Sequence, residues 1–297
     1  MILEEQGIRT INDIEQMRQT AEELRLEGKS IAFVPTMGFL HEGHLSLIRK
    51  GRGIADIVVV SIFVNPAQFG PGEDYEAYPR DPEKDRGHAE NEGTNILFLP
   101  EKDDLYPRDY ETYIMQENLP NHLCGISRPG HFTGVMTIVA KLFNIIKPHY
   151  AVFGEKDFQQ LAVIRKMTAD LNFNTKILGA PIVREHDGLA MSSRNKYLST
   201  GQRKSALSLY RALSDAKEMA AKGETRAKAL IEAAVNKVSA APETSIDYIK
   251  ICDPGTLEDV AVIDRPVLMA LAVKVGRTRL IDNIMLLPCR KEDEKND

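Results

Sequence analysis

The segment IVVVSIFV, residues 57–64, is the strongest strand signal in this chain of 297 residues and decides its fold. A nearly continuous run of β-branched residues is typical of a strand covered on both faces, as in the middle of a parallel sheet. Shorter strand signals lie before and after it in the sequence. These are Ser30–Pro35, Asn95–Leu99, Tyr150–Phe153 and Lys176–Leu178.

Helical patterns separate these strands: one starts at Glu42, and others cover Asp81–Asn91, Val135–Ile146 and Gln159–Asp170. Repeated strand–helix alternation predicts a doubly wound α/β fold, with a Rossmann-like parallel sheet and right-handed crossovers. We expect this domain to span residues 1–181.

After Pro181 the pattern changes to two consecutive amphipathic helices followed by three strand-like stretches. This order predicts a smaller C-terminal α+β domain over residues 182–290, and residues 291–297 form a charged tail. The predicted elements are Ser205–Lys222, Thr225–Ser239, Ser245–Cys252, Val267–Val275 and Arg279–Leu287.

Composition and charge exclude several classes of protein. Lys and Arg number 38 against 43 Asp and Glu, a net charge of −5, so no global basic field points to a nucleic-acid partner. No apolar run approaches the ~20 residues that span a bilayer, so we expect no membrane association. The N-terminus lacks a secretory signal pattern and the three cysteines are widely spaced, which indicates a cytoplasmic protein.

The first candidate site is PTMGFLHEGH, residues 35–44, between a strand and a helix. Ligands bind beyond the carboxyl ends of strands in such sheets, and the next helix directs its unpaired N–H groups at them, which favours phosphate. His41 and His44 are three residues apart and can face the same side, where they would stabilise developing negative charge. A tight turn with an incidental histidine pair remains an alternative.

Three further segments carry polar groups to the ends of predicted elements. FGEKDFQQ, residues 153–160, offers Lys156 to phosphate and Gln160 to a small substrate, although a capped helix start would look the same. MSSRN, residues 191–195, can wrap a polyphosphate or be an ordinary polar loop. Asn65 and Gln68 follow the central strand and suit a small hydroxylated acid, or simply cap a loop.

Taken together, the motifs resemble the pantothenate synthetase (pantoate–β-alanine ligase) family within the HxGH nucleotidyltransferase superfamily. HxGH alone indicates the superfamily, and the combination of motifs indicates this family. The motifs are PTMGFLHEGH, FVNPAQF, DYEAYPRD, RPGHFTGV, FGEKDFQQ and REHDGLAMSSRN, with DYIKICDPGTLEDV and VGRTRLIDN in the second domain.

The resemblance implies an ATP-dependent ligase that joins (R)-pantoate to β-alanine through a pantoyl adenylate. Pantothenate, AMP and pyrophosphate would be the products, with Mg²⁺ as cofactor and a homodimer as the assembly. The sequence does not identify the Mg²⁺ ligands: Asp157 and Asp85 are candidates, and so is a metal held mainly by phosphates.

Residue roles follow from the same resemblance. His44, His41, Lys156 and Arg194 would be catalytic, Gln68, Gln160 and Asn65 would bind substrate, and residues 182–290 would act as a lid. The nucleotide would be bound by Met37, Gly38, Phe39, Leu40, His41, Glu42, Gly43, His44, Gly154, Glu155, Lys156, Asp157, Val183, Met191, Ser192, Ser193 and Arg194. Another HxGH nucleotidyltransferase and a non-catalytic nucleotide-binding module are the alternatives.

Overall fold

Six parallel strands form the sheet built around the Ile57 run. In the computed structural model, which describes residues 7–289, the side chains of Val58, Val59 and Val60 are almost wholly buried because helices cover both faces. The strand order is β1-β4-β3-β2-β5-β6. The strands are β1 (Arg9–Ile11), β2 (Ile31–Thr36), β3 (Ile57–Ile62), β4 (Ile96–Phe98), β5 (Tyr150–Gly154) and β6 (Lys176–Ala180).

Helices connect the strands, so the predicted doubly wound α/β fold is confirmed. The edge strand β1 and the helices α1, α4 and α5 have no counterpart among the predicted elements. The helices of the described part are α1 (Ile14–Leu26), α2 (Glu42–Arg52), α3 (Pro82–Asn91), α4 (Lys102–Leu105), α5 (Leu123–Ser127), α6 (His131–Ile146), α7 (Phe158–Asp170), α8 (Thr200–Ala221) and α9 (Ala227–Ser239).

The direction of winding reverses between β2 and β5. From β2 the chain proceeds outward through β3 and β4, then returns to β5 on the other side of β2 and ends at β6. A parallel sheet opens a crevice at such a switch point, beyond the carboxyl ends of its strands. The segments after β2, β3 and β5 therefore share one edge of the sheet.

The C-terminal part forms an antiparallel sheet of order β7-β8-β9, consisting of β7 (Thr244–Cys252), β8 (Val267–Val275) and β9 (Thr278–Leu286). Its apolar core joins these strands to α8 and α9, with Leu213, Leu230 and Leu271 fully buried. The predicted smaller α+β region is confirmed.

The described chain divides into two compact units, and the sequence alternates between them. The first unit contains the residues up to Pro120, Arg128–Val183 and Met191–Ser193, and the second contains Asn121–Ser127, Arg184–Ala190 and the residues from Arg194 onward. The assignment of a catalytic domain to 1–181 and a lid to 182–290 stays a prediction. The charged tail, 291–297, lies outside the described residues. None of the helices within 7–289 has the length and apolar character needed to cross a bilayer.

Candidate active site

A pair of histidines begins helix α2 at the carboxyl end of β2. His41 is the N-cap residue, and its Nδ1 accepts a hydrogen bond from the Gly43 amide at 3.2 Å. The His44 ring reaches back, and its Nδ1 accepts from the His41 amide at 3.3 Å. The two ring centroids are 4.1 Å apart. The HxGH motif thus forms a capping box made of two imidazoles.

These hydrogen bonds fix the tautomer of both rings. Because each Nδ1 accepts from a main-chain N–H, each neutral ring carries its hydrogen on Nε2 and is a donor there. The pKa of His44 is held well below its usual value. Burial of the ring is the largest cause, followed by the electrostatic effect of His41 and then by the charge of Lys156. His44 is therefore neutral at physiological pH, and its Nε2–H can donate to a phosphate oxygen without a proton transfer.

The turn before the histidines is fastened by Asp85 of α3. Its Oδ2 accepts from the Phe39 amide at 2.7 Å and its Oδ1 from the Leu40 amide at 2.6 Å. Asp85 is 2% exposed, and burial raises the pKa of its carboxyl group although both amides oppose that shift. Both oxygens of this candidate Mg²⁺ ligand are thus directed at the main chain. Within residues 7–289 no group of three His, Cys, Asp or Glu residues is arranged to hold a metal.

Gln68 and Asn65 lie in the short 3-10 turn after β3. The buried Asn65 donates from Nδ2 to Gln68 Oε1 at 2.9 Å and to the Gly134 carbonyl at 3.1 Å, and its Oδ1 accepts from Tyr106 at 3.0 Å. Gln68 Nε2 contacts Met37 Sδ at 3.3 Å, which joins the end of β3 to the end of β2. The side-chain amide of Asn65 is therefore fully engaged with protein groups, and Asn65 in turn fixes the orientation of the Gln68 side chain.

The main chain of Gln68 is held by a second network from the start of α6. The His131 Nδ1 donates to the Gln68 carbonyl at 2.8 Å, and its Nε2 accepts from Arg128 at 3.1 Å. Arg128 also forms a bidentate pair with Glu73, at 2.7 and 2.6 Å. Burial, and next the charge of Arg128, lower the pKa of His131 to about 4. Arg128 is thus paired with a carboxylate of its own unit.

The segment after β5 brings a cation to the neighbouring strand end. Lys156 lies close enough to His44 to lower the pKa of that histidine, and its Nζ is 3.7 Å from Asp157 Oδ2. Gln160 is half-buried in the first turn of α7. Because β5 is adjacent to β2, the FGEKDFQQ and HxGH motifs meet at the switch point of the sheet.

The Met191–Ser193 segment also belongs to the first unit, whereas Arg194 belongs to the second. The Met191 amide donates to the Val183 carbonyl at 3.0 Å, and the Ser193 hydroxyl is 3.4 Å from the hydroxyl of Tyr78. A Cβ placed on Gly43 would be 3.7 Å from Met191 Cβ, so Met191 lies beside the histidine turn. The structure joins this segment to HxGH, and the role of Arg194 stays a prediction.

The charged residues of the REHDG stretch, 184–188, form ion pairs within the second unit. Their sequence alone does not predict these partners. Arg184 forms a bidentate pair with Asp282, at 2.6 and 3.0 Å. Arg203 of α8 binds Glu185 at 2.8 Å and Asp187 at 2.7 Å. The charged part of the REHDG stretch is therefore engaged in ion pairs that hold its loop to α8 and β9.

Comparison with known proteins gives the same family from sequence and from structure. The family model described as pantoate-beta-alanine ligase matches residues 9–285. A pantothenate synthetase of Desulfatibacillum aliphaticivorans is 58% identical over 94% of this chain and 99% of its own length. One from Thermotoga petrophila is 53% identical over 94% of this chain and its whole length.

Two solved structures have the same fold along almost the whole chain. A pantothenate synthetase of Thermus thermophilus superposes with a TM-score of 0.90 and 43% identity, covering 95% of this chain and all of its own. A pantoate–β-alanine ligase of Francisella tularensis, complexed with βγ-ATP and β-alanine, has a TM-score of 0.79 and 34% identity over 94% and 97% of the two chains. This chain belongs to the pantoate–β-alanine ligase family.

Proposed function

We propose that this chain joins pantoate to β-alanine at the carboxyl edge of its parallel sheet, with ATP as the energy source. The observation that carries the proposal is the meeting of His41, His44 and Lys156 at the β2–β5 switch point. Two imidazole N–H donors, an ammonium group and a helix N-terminus at one place suit a polyphosphate and the charge that develops on it.

In the first half-reaction a carboxylate oxygen of pantoate attacks the α-phosphorus of ATP. A P–O bond forms, the bond to the bridging β-phosphate oxygen breaks, and pyrophosphate leaves. Because the attacking carboxylate is already ionised, no general base is required, and catalysis consists of in-line positioning and charge stabilisation. His44 and His41 donate from Nε2, and Lys156 contributes a positive charge.

In the second half-reaction the amine of β-alanine attacks the acyl carbon of the mixed anhydride. The C–N bond forms, the C–O bond to AMP breaks, and the amine loses a proton as AMP leaves. The site must exclude water until the amine arrives, because the adenylate would otherwise hydrolyse. We assign the closing elements to Ser192, Ser193 and Arg194, and the lid to residues 182–290.

The nucleotide contacts that we propose come from the three strand ends and the loop after β6. The imidazole rings of the histidine turn and the main chain of the segment after β5 approach the phosphates, and half-buried side chains flank the nucleotide. The proposed contacts are Met37, Gly38, Phe39, Leu40, His41, Glu42, Gly43, His44, Gly154, Glu155, Lys156, Asp157, Val183, Met191, Ser192, Ser193 and Arg194.

Gln68 and Gln160 are the proposed pantoate contacts. Gln68 comes from the β3 end and Gln160 from the first turn of α7. A site that hydrogen-bonds a substrate hydroxyl gains selectivity because a ligand without that group leaves polar atoms unpaired. Asn65 contributes through Gln68, since it holds Gln68 Oε1, and Tyr106 in turn holds Asn65.

We further propose that Mg²⁺ enters the site with ATP. Mg²⁺ is commonly held by substrate phosphates together with one or two carboxylates and water, so the site needs no cage made only of protein groups. Asp157, beside Lys156 at the β5 end, is the carboxylate best placed to contribute. The ion supplies charge neutralisation on the phosphates.

The assembly that we propose is a homodimer in the cytoplasm, where ATP is available. The dimer is supported by the family resemblance. Its test is a light-scattering measurement at micromolar concentration, where we expect twice the chain mass of 33.2 kDa. A single species of 33.2 kDa would contradict it.

The reaction is tested by incubating the chain with ATP, pantoate and β-alanine and measuring AMP while each substrate is omitted in turn. We expect continuous AMP release only when all three are present. A nucleotidyltransferase of the same superfamily would retain the nucleotide in its product and release no AMP. A binding module would consume no ATP.

A further inference from the structure

The turn between β2 and the histidine pair has a conformation that needs external support. Gly38 has φ +81° and the next residue, Phe39, has φ +52°. The left-handed region is open to glycine but uncommon for a residue such as phenylalanine. This turn determines where His41 begins α2, so whatever holds it also determines the position of both imidazoles.

Side chains hold three successive amides of this turn. The Gly38 amide donates to Thr36 Oγ1 at 3.2 Å, and the Phe39 and Leu40 amides donate to the two oxygens of Asp85. The amide of His41, next in the chain, donates to the His44 ring. The amides of four successive residues, 38 to 41, are therefore each held by a side chain, and the part held by Asp85 leads directly into the histidine pair.

Asp85 is built into its own helix in a way that fixes its position. Asp81 caps α3 by accepting from the Lys84 amide at 3.3 Å, and Pro82 occupies the first turn. Asp85 lies one turn later, with its side chain buried, 46 residues from the amide of Phe39. A Cβ on Gly38 would come within 2.9 Å of Asp85 Oδ2, so the turn packs directly against the carboxylate.

We propose that Asp85 is a positioning residue for the catalytic histidines and acts by clamping the Phe39–Leu40 turn, not by coordinating a metal. The inference rests on the proposed function in assigning adenylation to His41 and His44. A carboxylate with each oxygen accepting a main-chain N–H is a preorganising group of the kind that supports active sites. The clamp keeps the two Nε2–H donors in place before ATP arrives.

The test compares Asp85→Asn with Asp81→Asn, a matched substitution one turn earlier on the same helix. Asparagine at 85 retains one acceptor but turns its NH₂ group toward the other amide, whereas asparagine at 81 can still cap α3. Four quantities are measured: amide hydrogen exchange at Phe39 and Leu40, the single-turnover rate of adenylation, the Mg²⁺ concentration at half-maximal rate, and the KM for pantoate.

For Asp85→Asn we expect exchange at Phe39 or Leu40 to accelerate at least ~10-fold and adenylation to slow by roughly 10- to 100-fold, the range associated with a misplaced catalytic group. The Mg²⁺ half-saturation and the KM for pantoate should stay within about 3-fold of wild type, since neither ligand loses a contact. Asp81→Asn should resemble wild type in all of these measurements.

Two results would overturn the proposal. Unchanged exchange together with a Mg²⁺ half-saturation shifted by about 10-fold or more would make Asp85 a metal ligand. Accelerated exchange with normal adenylation would show that the clamp does not position the histidines. Should wild-type chain form no adenylate, the proposed function fails, while the exchange measurement still decides whether Asp85 holds the turn.

A second variant covers the case in which Asp85→Asn does not fold. Gly38→Ala introduces a Cβ that displaces the turn from Asp85 and opposes φ +81° without removing the carboxylate. We expect the same combination of faster exchange and slower adenylation at unchanged Mg²⁺ dependence. Normal adenylation in Gly38→Ala, with exchange at Phe39 and Leu40 accelerated, would also overturn the proposal.

Discussion

Two features of its surroundings determine the chemistry of His44. Its Nδ1 accepts from the main chain at the start of α2, and burial, His41 and Lys156 lower its pKa. An imidazolium would carry more charge, but its Nδ1 would then be a donor facing the donor N–H of His41. The capping box therefore requires a neutral ring, and the ring acts as a fixed hydrogen-bond donor.

We predict that His44→Ala slows adenylate formation at least ~10²-fold, the effect expected for one preorganised donor to developing charge. The measurement is single-turnover formation of pantoyl adenylate by rapid quench at saturating ATP. His88→Ala, which removes a histidine from α3, is the control and should react at nearly the wild-type rate. Near-normal adenylation in His44→Ala would contradict the assigned role.

His131 makes stability depend on pH. In the folded chain the pKa of His131 is about 4, below its ordinary value of 6.5. At pH values between 4 and 6.5, the unfolded chain therefore binds a proton at His131 that the folded chain does not bind. The contribution of His131 to folding stability is therefore complete above pH 6.5, and it is lost as the pH falls from 6.5 toward 4. The loss amounts to about 3 kcal/mol of unfolding free energy for a shift of this size.

We predict that His131→Gln, which can still donate to Gln68 and accept from Arg128, reduces this pH dependence by a similar amount. The free energy of unfolding is measured by urea titration at about pH 7 and about pH 4.5, which lie on either side of most of the His131 titration. The difference between the two pH values is then compared between wild type and variant. An identical loss of stability in wild type and variant would show that His131 is not the group that titrates.

Among the elements, those with long regular patterns could be predicted from the sequence. The run at Ile57 predicted β3, and the apolar spacing of Val135–Ile146 predicted most of α6, which begins four residues earlier at His131. Among the elements without a predicted counterpart, helix α1 has 13 residues, and the other three are short: β1 has three residues, α4 has four and α5 has five. In such segments the pattern is too brief to reveal a period, and distant partners determine the conformation.

Site residues that lie close together in the sequence could be predicted. Site contacts between residues that are far apart in the sequence could not. The HxGH pair and Lys156 lie in motifs at strand ends, and adjacent strands unite them. The Asp85 contact with Leu40 joins residues 45 positions apart, and the Arg184–Asp282 pair spans 98. Nothing in local spacing distinguishes such carboxylates from metal ligands or solvated surface charges.

Helix α6 and the 3-10 turn that carries Gln68 approach closely at Gly134. A Cβ on that glycine would lie 2.1 Å from the Ala67 carbonyl oxygen and 2.6 Å from the Gln68 amide nitrogen, so a larger residue must push the turn away. We predict that Gly134→Ala lowers stability by about 1–3 kcal/mol through overpacking. Displacement of Gln68 should also raise the pantoate KM about 10-fold or more.

Gly87→Ala is the matched control, because this glycine lies in α3 with nothing within 4 Å of the added Cβ. Alanine in that helix should be neutral or stabilising by about 0.5–1 kcal/mol, with unchanged kinetics. Thermal unfolding and steady-state kinetics with pantoate as the varied substrate measure both effects. A Gly134→Ala enzyme with normal pantoate KM would separate Gln68 from pantoate binding.

At the scale of the molecule, the proposed chemistry of adenylation lies in one unit. His41, His44, Lys156, Gln68 and Gln160 all belong to the first unit. The second unit has a separate apolar core and holds the REHDG stretch by its own ion pairs. In the proposed mechanism, the hydrogen-bond donors and the pantoate contacts of the first half-reaction therefore lie on a single sheet edge. They need no contribution from the amine that reacts in the second half-reaction.

We predict, accordingly, that the chain exchanges labelled pyrophosphate into ATP when pantoate is present and β-alanine is absent. The carboxylate needs no deprotonation and no amine to attack the α-phosphorus, so adenylate and pyrophosphate form and recombine on the enzyme. Exchange without pantoate should be at background, and Lys156→Ala should reduce the pantoate-dependent rate at least ~10²-fold. Exchange that required β-alanine would instead mean that the amide forms in one concerted step, and the two-step mechanism would have to be abandoned.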